Sequence, residues 1–131
     1  MSEICRVLEK TEKAVRDEWF AGKMKSAIQK AILQAGLLPD HLMGAYVLAF
    51  AFDLVPDELQ ENYKKKLIDL VRQHDGCLDT GFLATPFLLD TFCKIGESKL
   101  AHELLWQNKR PSWLYQVDHG ATTVWEAWDA D

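Results

Sequence analysis

Residues 78–96 read LDTGFLATPFLLDTFCKIG, and this stretch contains the pattern that recurs along the chain. The Asp-Thr-Gly run at 79–81 favours a turn. Thr85 is suited to cap the helix that follows, Pro86 to begin it, and Gly96 to end it. The apolar residues between them recur at three- and four-residue steps, which is the amphipathic helical period. The stretch therefore predicts a loop followed by a capped helix.

The segments before this stretch show the same period. Residues 3–35 are rich in good helix formers, with Gly22 predicted to interrupt the helix and Gly36 to end it. Asp40 is predicted to cap a helix over about 41–54 that is apolar nearly all round. Such a helix belongs in a core and packs on more than one side. A helix with one apolar and one charged face is predicted to begin at Pro56 and to end at Gly76.

The segments after this stretch are also predicted to be helical. Ser98 is suited to cap a helix that runs to about residue 106. A polar, aromatic loop is expected over 112–121, and Thr122 or Thr123 is predicted to cap a short helix over 124–128. No segment alternates apolar and polar residues in the way of a strand. We therefore predict an all-α fold of antiparallel helical hairpins, forming a single helical domain over residues 1–131.

Composition excludes several classes of function. The chain has 131 residues and a formal net charge of −5, which argues against a nucleic-acid or anionic-membrane surface. No apolar run is long enough to span a bilayer and no signal peptide is recognised, so we expect a cytoplasmic protein. Its three cysteines are widely spaced and predict free thiols. We expect no metal site and no cofactor, because no ligand spacing supports one.

Acidic and aromatic residues are interleaved in the predicted loops of the second half. Carboxylates beside flat rings suit a carbohydrate site, because rings stack on sugar C–H faces and carboxylates accept hydroxyl hydrogen bonds. Simpler readings stand beside this one. Glu126 would lie in the first turn of a helix, where an acid is favoured anyway. Asp79 and Asp118 are often found bonding their own loop backbone, and His119 is compatible with an ordinary loop position.

Three stretches resemble segments of bacterial α-L-rhamnosidases. Residues 78–89, LDTGFLATPFLL, resemble the family segment "LDTGFLGTPYLL". Residues 111–129, PSWLYQVDHGATTVWEAWD, resemble the long signature "PSW-Y-D-GATT-WERWD". Residues 45–56, AYVLAFAFDLVP, are similar to a third, weaker segment. The agreement covers residues 40–131, whereas residues 1–39 match only in helical character.

The resemblance implies an (α/α)6 toroid of six hairpins, with the active site in the loops at one end. It also implies inverting hydrolysis, in which one carboxylic acid protonates the glycosidic oxygen and a carboxylate activates water. Glu126 occupies the position of the general base, and a helix N-terminus there would favour its ionised form. Residues implied to bind the rhamnoside or another carbohydrate are Asp79, Trp113, Tyr115, Asp118, His119 and Trp125.

Two departures from the family pattern change the expectation. The upstream motif of the type "D-x-x-x-x-E-R-x-G-W-x-G-D", which carries the general acid, has no counterpart here, and Ala127 stands where the family usually has Arg. We therefore expect about half of the toroid, the C-terminal half, without activity by itself. Association with a second copy or with a missing N-terminal half is expected to cover its apolar faces, with 43–52 and 19–20 near the contact.

Three functions remain open at this point. The first is a partial rhamnosidase domain that carries the general-base side of the site. The second is a helical interaction or scaffold protein that is derived from the same fold and has no sugar chemistry. The third is an active enzyme completed by two chains or by a separate partner.

Overall fold

The computed structural model describes residues 1–36, 38–125 and 127–128. The described residues form α-helices joined by turns and loops, and no strand occurs among them. The all-α prediction is confirmed. Contacts divide the chain into two compact units, Met1–Leu37 and Leu38–Asp131. The prediction of one helical domain over residues 1–131 stays a prediction.

The first unit is a helical hairpin of α1 (Ser2–Val7) and α2 (Thr11–Ala35). Glu9, at φ 57°, reverses the chain between them, and Arg6 of α1 pairs with Glu18 of α2 at 2.7 Å. The interruption predicted at Gly22 allowed two helices or one kinked helix, and two separate helices are excluded because α2 continues through this residue. A glycine inside a helix costs only about 0.5–1 kcal/mol, which the good helix formers around it offset. Gly36 ends α2 in the left-handed conformation, as predicted.

The described residues of the second unit form five α-helices and one 3₁₀ turn. They are α3 (Met43–Ala51), the 3₁₀ turn (Asp57–Leu59), α4 (Gln60–Gln73), α5 (Thr85–Lys94), α6 (Ser98–Leu105) and α7 (Trp113–Asp118). Hydrogen bonds from Thr91 to the Val47 carbonyl and from Lys94 to the Phe50 carbonyl join α5 to α3. Both bonds join residues 44 positions apart, so moving three residues along α5 also moves three residues forward along α3. The two helices therefore run in the same direction. Equivalent helices of neighbouring hairpins are parallel in such a packing.

The core of the second unit surrounds α3. Met43, Tyr46, Val47 and Phe50 are at most 4% exposed and pack with residues of α4 and α5. The prediction of a core helix is confirmed, although the helix ends at Ala51 rather than near residue 54. Most of the 43–52 segment is thus covered within this unit, whereas Phe52 at its end is 54% exposed, and its place near a contact with a second copy stays a prediction. Gly44 allows the close approach of the next segment, since a Cβ there would lie 3.2 Å from that of Ala84.

Several predicted helix caps are replaced by other contacts. Asp40 does not cap α3 but lies 3.5 Å from the Lys66 ammonium. Thr85 is the first residue of α5, and its hydroxyl donates to the carbonyls of residues 80 and 81. Ser98 is likewise the first residue of α6, which has no side-chain cap. For Asp40 and Thr85, a nearby charge or carbonyl competes with the orphan amides of the helix end.

Two tyrosines of this core predict how stability depends on pH. Burial and the nearby Asp40 charge raise the pKa of Tyr46 and of Tyr63 above the ordinary value. Below about pH 10 both states keep these protons, so stability is unaffected. Above it the unfolded chain ionises first, and we expect the unfolding free energy to fall as pH rises through the folded-state pKa values. Urea denaturation between pH 8 and 11 measures this, and Tyr46→Phe should flatten the decline; an equally steep decline in that variant contradicts the assignment.

Candidate functional site

A cleft of about 950 Å3 opens between the 79–82 loop, the start of α5 and the segment 124–128. All of it belongs to the second unit. Its walls are mostly apolar, with Asp79 and Asp90 as its carboxylates among the described residues. The described residues that line it are Asp79, Thr80, Gly81, Phe82, Thr85, Pro86, Leu89, Asp90, Leu105, Trp113, Val124, Trp125, Ala127 and Trp128.

Threonine hydroxyls fold the 79–82 loop on one side of the cleft. Thr80 is 2% exposed, and its hydroxyl lies 2.8 Å from that of Thr85. With Thr80 turned inward, the flanking side chains of Asp79 and Phe82 are exposed at the cleft. Asp79 Oδ2 lies 3.2 Å from His74 Nε2, so an imidazole of the preceding segment contacts this carboxylate.

The opposite wall begins with α7, a helix that sequence analysis assigned to a loop. Ser112 caps α7, accepting the Tyr115 N–H at 3.1 Å. The Trp113 ring then stands nearly perpendicular to that of Trp128, with centroids 5.8 Å apart. Trp128 Nε1–H donates to the Thr80 carbonyl at 2.6 Å, which joins this wall to the 79–82 loop. Trp128 thus joins the 111–129 stretch to the 78–89 stretch at the cleft.

The backbone of Trp125 is hydrogen-bonded to the buried side chain of Gln116. Its backbone N–H donates to Gln116 Oε1 at 3.1 Å. The Tyr115 ring approaches Trp125 edge-on, with centroids 6.5 Å apart. Trp113, Trp125 and Trp128 therefore line one cleft although fifteen residues of sequence separate the first from the last. Flat rings beside carboxylates are an arrangement that can bind a sugar ring.

The predicted site residues fall into three groups. Asp79, Trp113 and Trp125 line the cleft. Tyr115, Asp118 and His119 lie outside its lining, where the rings of Tyr115 and His119 stack at 3.9 Å. Glu126 lies outside the described residues. Sugar contact by any of the predicted residues therefore stays a prediction.

The short helix predicted over 124–128 is wrong for the described residues of that segment, which are not helical. Trp125 N–H and Trp128 Nε1–H instead bond to Gln116 and Thr80, which lie nine and 48 residues earlier in the chain. These long-range hydrogen bonds override the local capping signal of Thr122 and Thr123. The helix-dipole argument for an ionised Glu126 consequently has no support from its described neighbours.

A sequence model of one protein family, the bacterial alpha-L-rhamnosidase 6 hairpin glycosidase domain, matches residues 1–131. The chain belongs to this family. Its resemblance to bacterial α-L-rhamnosidases is thereby confirmed, and so is its classification with the all-α, six-hairpin glycoside hydrolases.

Individual members of the family are similar along most of the chain. An alpha-L-rhamnosidase of Formosa agariphila is 36% identical over 126 residues, which are 95% of this chain and 14% of that protein. The crystal structure of native alfa-L-rhamnosidase from Aspergillus terreus is matched with a TM-score of 0.84 at 35% identity, over 98% of this chain and 15% of that one. The Streptomyces avermitilis alpha-L-rhamnosidase structure, complexed with L-rhamnose, gives 0.75 at 34% identity, over 98% and 12%. The chain thus spans about one seventh or less of each of these six-hairpin glycosidases.

Within this rhamnosidase-like domain, sequence reasoning missed several residues that line the cleft. Trp128 was not assigned to the site, and Thr80 and Phe82 were expected there only as part of the 79–82 loop opposite the other site residues. Asp90 also lines the cleft and was assigned no contact. Its position eight residues after the 79–82 loop, with Pro86 and Leu89 on the same helix face, was the available signal.

The rest of the described chain offers no metal or membrane feature. Residues 1–36, 38–125 and 127–128 contain no group of three or more His, Cys, Asp or Glu side chains placed to hold a metal ion. No described helix combines the length and the apolarity of a membrane span. All three cysteines are free, and burial, followed by the charge of Asp75, raises the pKa of the Cys77 thiol. That thiol is therefore poorly suited to act as a nucleophile.

Proposed function

We propose that this chain carries the general-base side of an inverting rhamnoside hydrolysis site, with Glu126 as the base. The observation that carries the proposal is the convergence of Trp113, Trp125 and Trp128 on one cleft in a chain of the rhamnosidase family. Trp125 and Ala127, the neighbours of Glu126, both line that cleft. A carboxylate next to a sugar-sized apolar cleft is where a general base is needed.

The sugar is proposed to bind against the tryptophan rings. Rings contribute broad apolar contact, and Asp79 would accept hydrogen bonds from sugar hydroxyls at the facing loop. Because the His74 imidazole lies 3.2 Å from Asp79, one carboxylate oxygen is already oriented. Tyr115, Asp118 and His119 are proposed to act at the outer edge of the site rather than within the cleft.

We propose further that these 131 residues hydrolyse rhamnosides little or not at all by themselves. Inverting hydrolysis requires a second carboxyl, protonated, about 6.5–9.5 Å from the base. Asp79 and Asp90 are the carboxylates of the cleft in the described part of the chain, and Asp79 already faces a histidine. The acid-bearing motif of the family is absent from this sequence. A partner carrying further hairpins is proposed to supply the acid.

Association is also expected from the exposed apolar surface of the first unit. Trp19 is 63% and Phe20 58% exposed on α2, which is unusual for rings of this size. We propose that a second copy, or the hairpins that complete the toroid, covers them. Sedimentation velocity should give a dimer that dissociates in Trp19→Ser/Phe20→Ser. A wild-type monomer with no affinity for an apolar dye contradicts the homodimer.

Rhamnose titration tests the sugar site directly. Two of the five tryptophans, Trp19 and Trp106, lie outside the cleft, so a Trp19→Phe/Trp106→Phe background leaves only the cleft tryptophans to fluoresce. We expect L-rhamnose to change this fluorescence in a saturable manner, because sugar contact alters the surroundings of the rings. The matched control is Trp125→Phe in the same background, which should weaken the response. No response at high rhamnose concentration would favour a scaffold protein without sugar chemistry.

A further inference from the structure

Gln116 is a buried polar residue that fastens the segment leading to Trp125. It is 3% exposed and lies in α7. Its backbone carbonyl accepts hydrogen bonds from the N–H groups of His119, at 3.2 Å, and Ala121, at 2.9 Å. Its side-chain Oε1 accepts the Trp125 N–H at 3.1 Å. One residue therefore fixes both the start and the end of the 119–125 segment.

The helical period places this residue behind the cleft wall. Trp113 and Gln116 are three residues apart in α7, so their side chains lie on the same face of the helix. Trp113 lines the cleft directly. Gln116 does not line the cleft itself, but it bonds Trp125, which does. The same helix face thus presents one cleft tryptophan and holds another.

The amide nitrogen of Gln116 indicates why a glutamine occupies this position. Among the described residues, its Nε2 is buried and has no hydrogen-bond partner. A buried amide group without a partner is destabilising, whereas an apolar side chain of the same length would avoid that cost. Stability alone therefore does not favour glutamine at this position. The acceptor bond to Trp125 is the contact that an apolar residue could not replace.

We propose that Gln116 is a positioning residue for the sugar cleft, holding Trp125 in its wall through the Oε1 bond. This inference rests on the proposed sugar-binding function of the cleft. Without the bond, Trp125 keeps its ring contact with Tyr115 and its neighbour Trp128 keeps the bond to Thr80, but the described backbone hydrogen bond of Trp125 to α7 is lost. Trp125 then occupies several positions, and the cleft pays an ordering cost each time a sugar binds.

Two variants separate positioning from a merely structural role. Gln116→Met keeps the length of the side chain and removes both the acceptor and the unpartnered donor. We expect its urea midpoint to equal or exceed that of wild type, while rhamnose affinity falls roughly three- to tenfold, the effect of one hydrogen bond. Gln116→Glu keeps an oxygen facing Trp125 and loses the donor. We expect it to be less stable, since a carboxylate is buried, yet to keep the Trp125 bond.

Hydrogen exchange of ¹⁵N-tryptophan-labelled protein reports on that bond independently of sugar. The Trp125 amide should exchange about tenfold faster in Gln116→Met and at the wild-type rate in Gln116→Glu. The Trp106 amide, bonded to the His102 carbonyl at 3.0 Å, is the internal control and should not change. Unchanged Trp125 exchange in Gln116→Met, or equal loosening in both variants, overturns the positioning role. If Gln116→Met frees Trp125 but wild type ignores rhamnose, positioning is supported and the proposed sugar function fails.

Discussion

Replacing Phe92 by alanine is expected to lower the free energy of unfolding by about 3–5 kcal/mol. Phe92 has no exposed surface and belongs to the core around α3. Truncation removes its apolar contacts and leaves a cavity. The surroundings can close that cavity only in part, because Thr91 and Lys94 bond α5 to the backbone of α3. Urea denaturation followed by circular dichroism at 222 nm measures the loss.

Two further substitutions make this result specific to the core. Phe82→Ala removes the same ring from a position that is 71% exposed, and should change stability by no more than about 0.5 kcal/mol. Phe92→Leu refills most of the cavity and should cost less than Phe92→Ala. Similar losses from Phe82→Ala and Phe92→Ala would mean that Phe92 is not a core residue.

Replacing Glu126 by glutamine should lower rhamnoside hydrolysis about 10²–10⁴-fold in any assembly that supplies the general acid. Glutamine has nearly the same shape but cannot accept the proton of the attacking water. A suitable assembly is a complete six-hairpin domain of the family in which residues 1–131 replace the matching stretch. The release of nitrophenol from an aryl α-L-rhamnoside measures the rate. Residues 1–131 alone are expected to release none above background.

The matched control for Glu126→Gln is Asp90→Asn. Asp90 is a carboxylate of the same cleft to which we assign no proton transfer, so its loss should reduce the rate less than tenfold. Rhamnose binding should persist in both variants, because the tryptophan rings are unchanged. A Glu126→Gln assembly that retains full activity, while still binding rhamnose, would place the general base at another residue.

Periodicity and composition predicted most of the helical architecture. Residues 45–52 are apolar on nearly every side of their helix, which predicted a core helix. This is what α3 is, because α4 and α5 both pack against it. Local rules failed where a choice depended on a distant partner. Asp40 was predicted to cap α3, but Lys66 is its partner. Separately, two helices meeting at Gly22 were one predicted outcome, but a single helix runs through this residue, since the cost of one glycine is small beside the propensity of a 25-residue helix.

The residues that form the candidate site were easier to predict than their arrangement in space. The two signature stretches contain every aromatic residue that lines the cleft. Which side of each stretch faces the cleft depends on α7, a six-residue helix too short to show a period. Its Ser112 cap turns Trp113 toward the cleft and leaves Asp118 and His119 outside it. No spacing rule could have shown that Trp128 would bond to the carbonyl of Thr80.

The bond from Trp128 to Thr80 also bears on the order in which the protein folds. It joins residues 48 positions apart, whereas the bonds within each helix join residues four apart. Closing so long a loop carries an entropic cost that local helices do not have, and contacts of this kind form late. We therefore expect the cleft, like the contacts between α3 and α5, to form after the individual helices. A surface that forms late also opens early, so partial unfolding would remove the proposed sugar site before the helices melt.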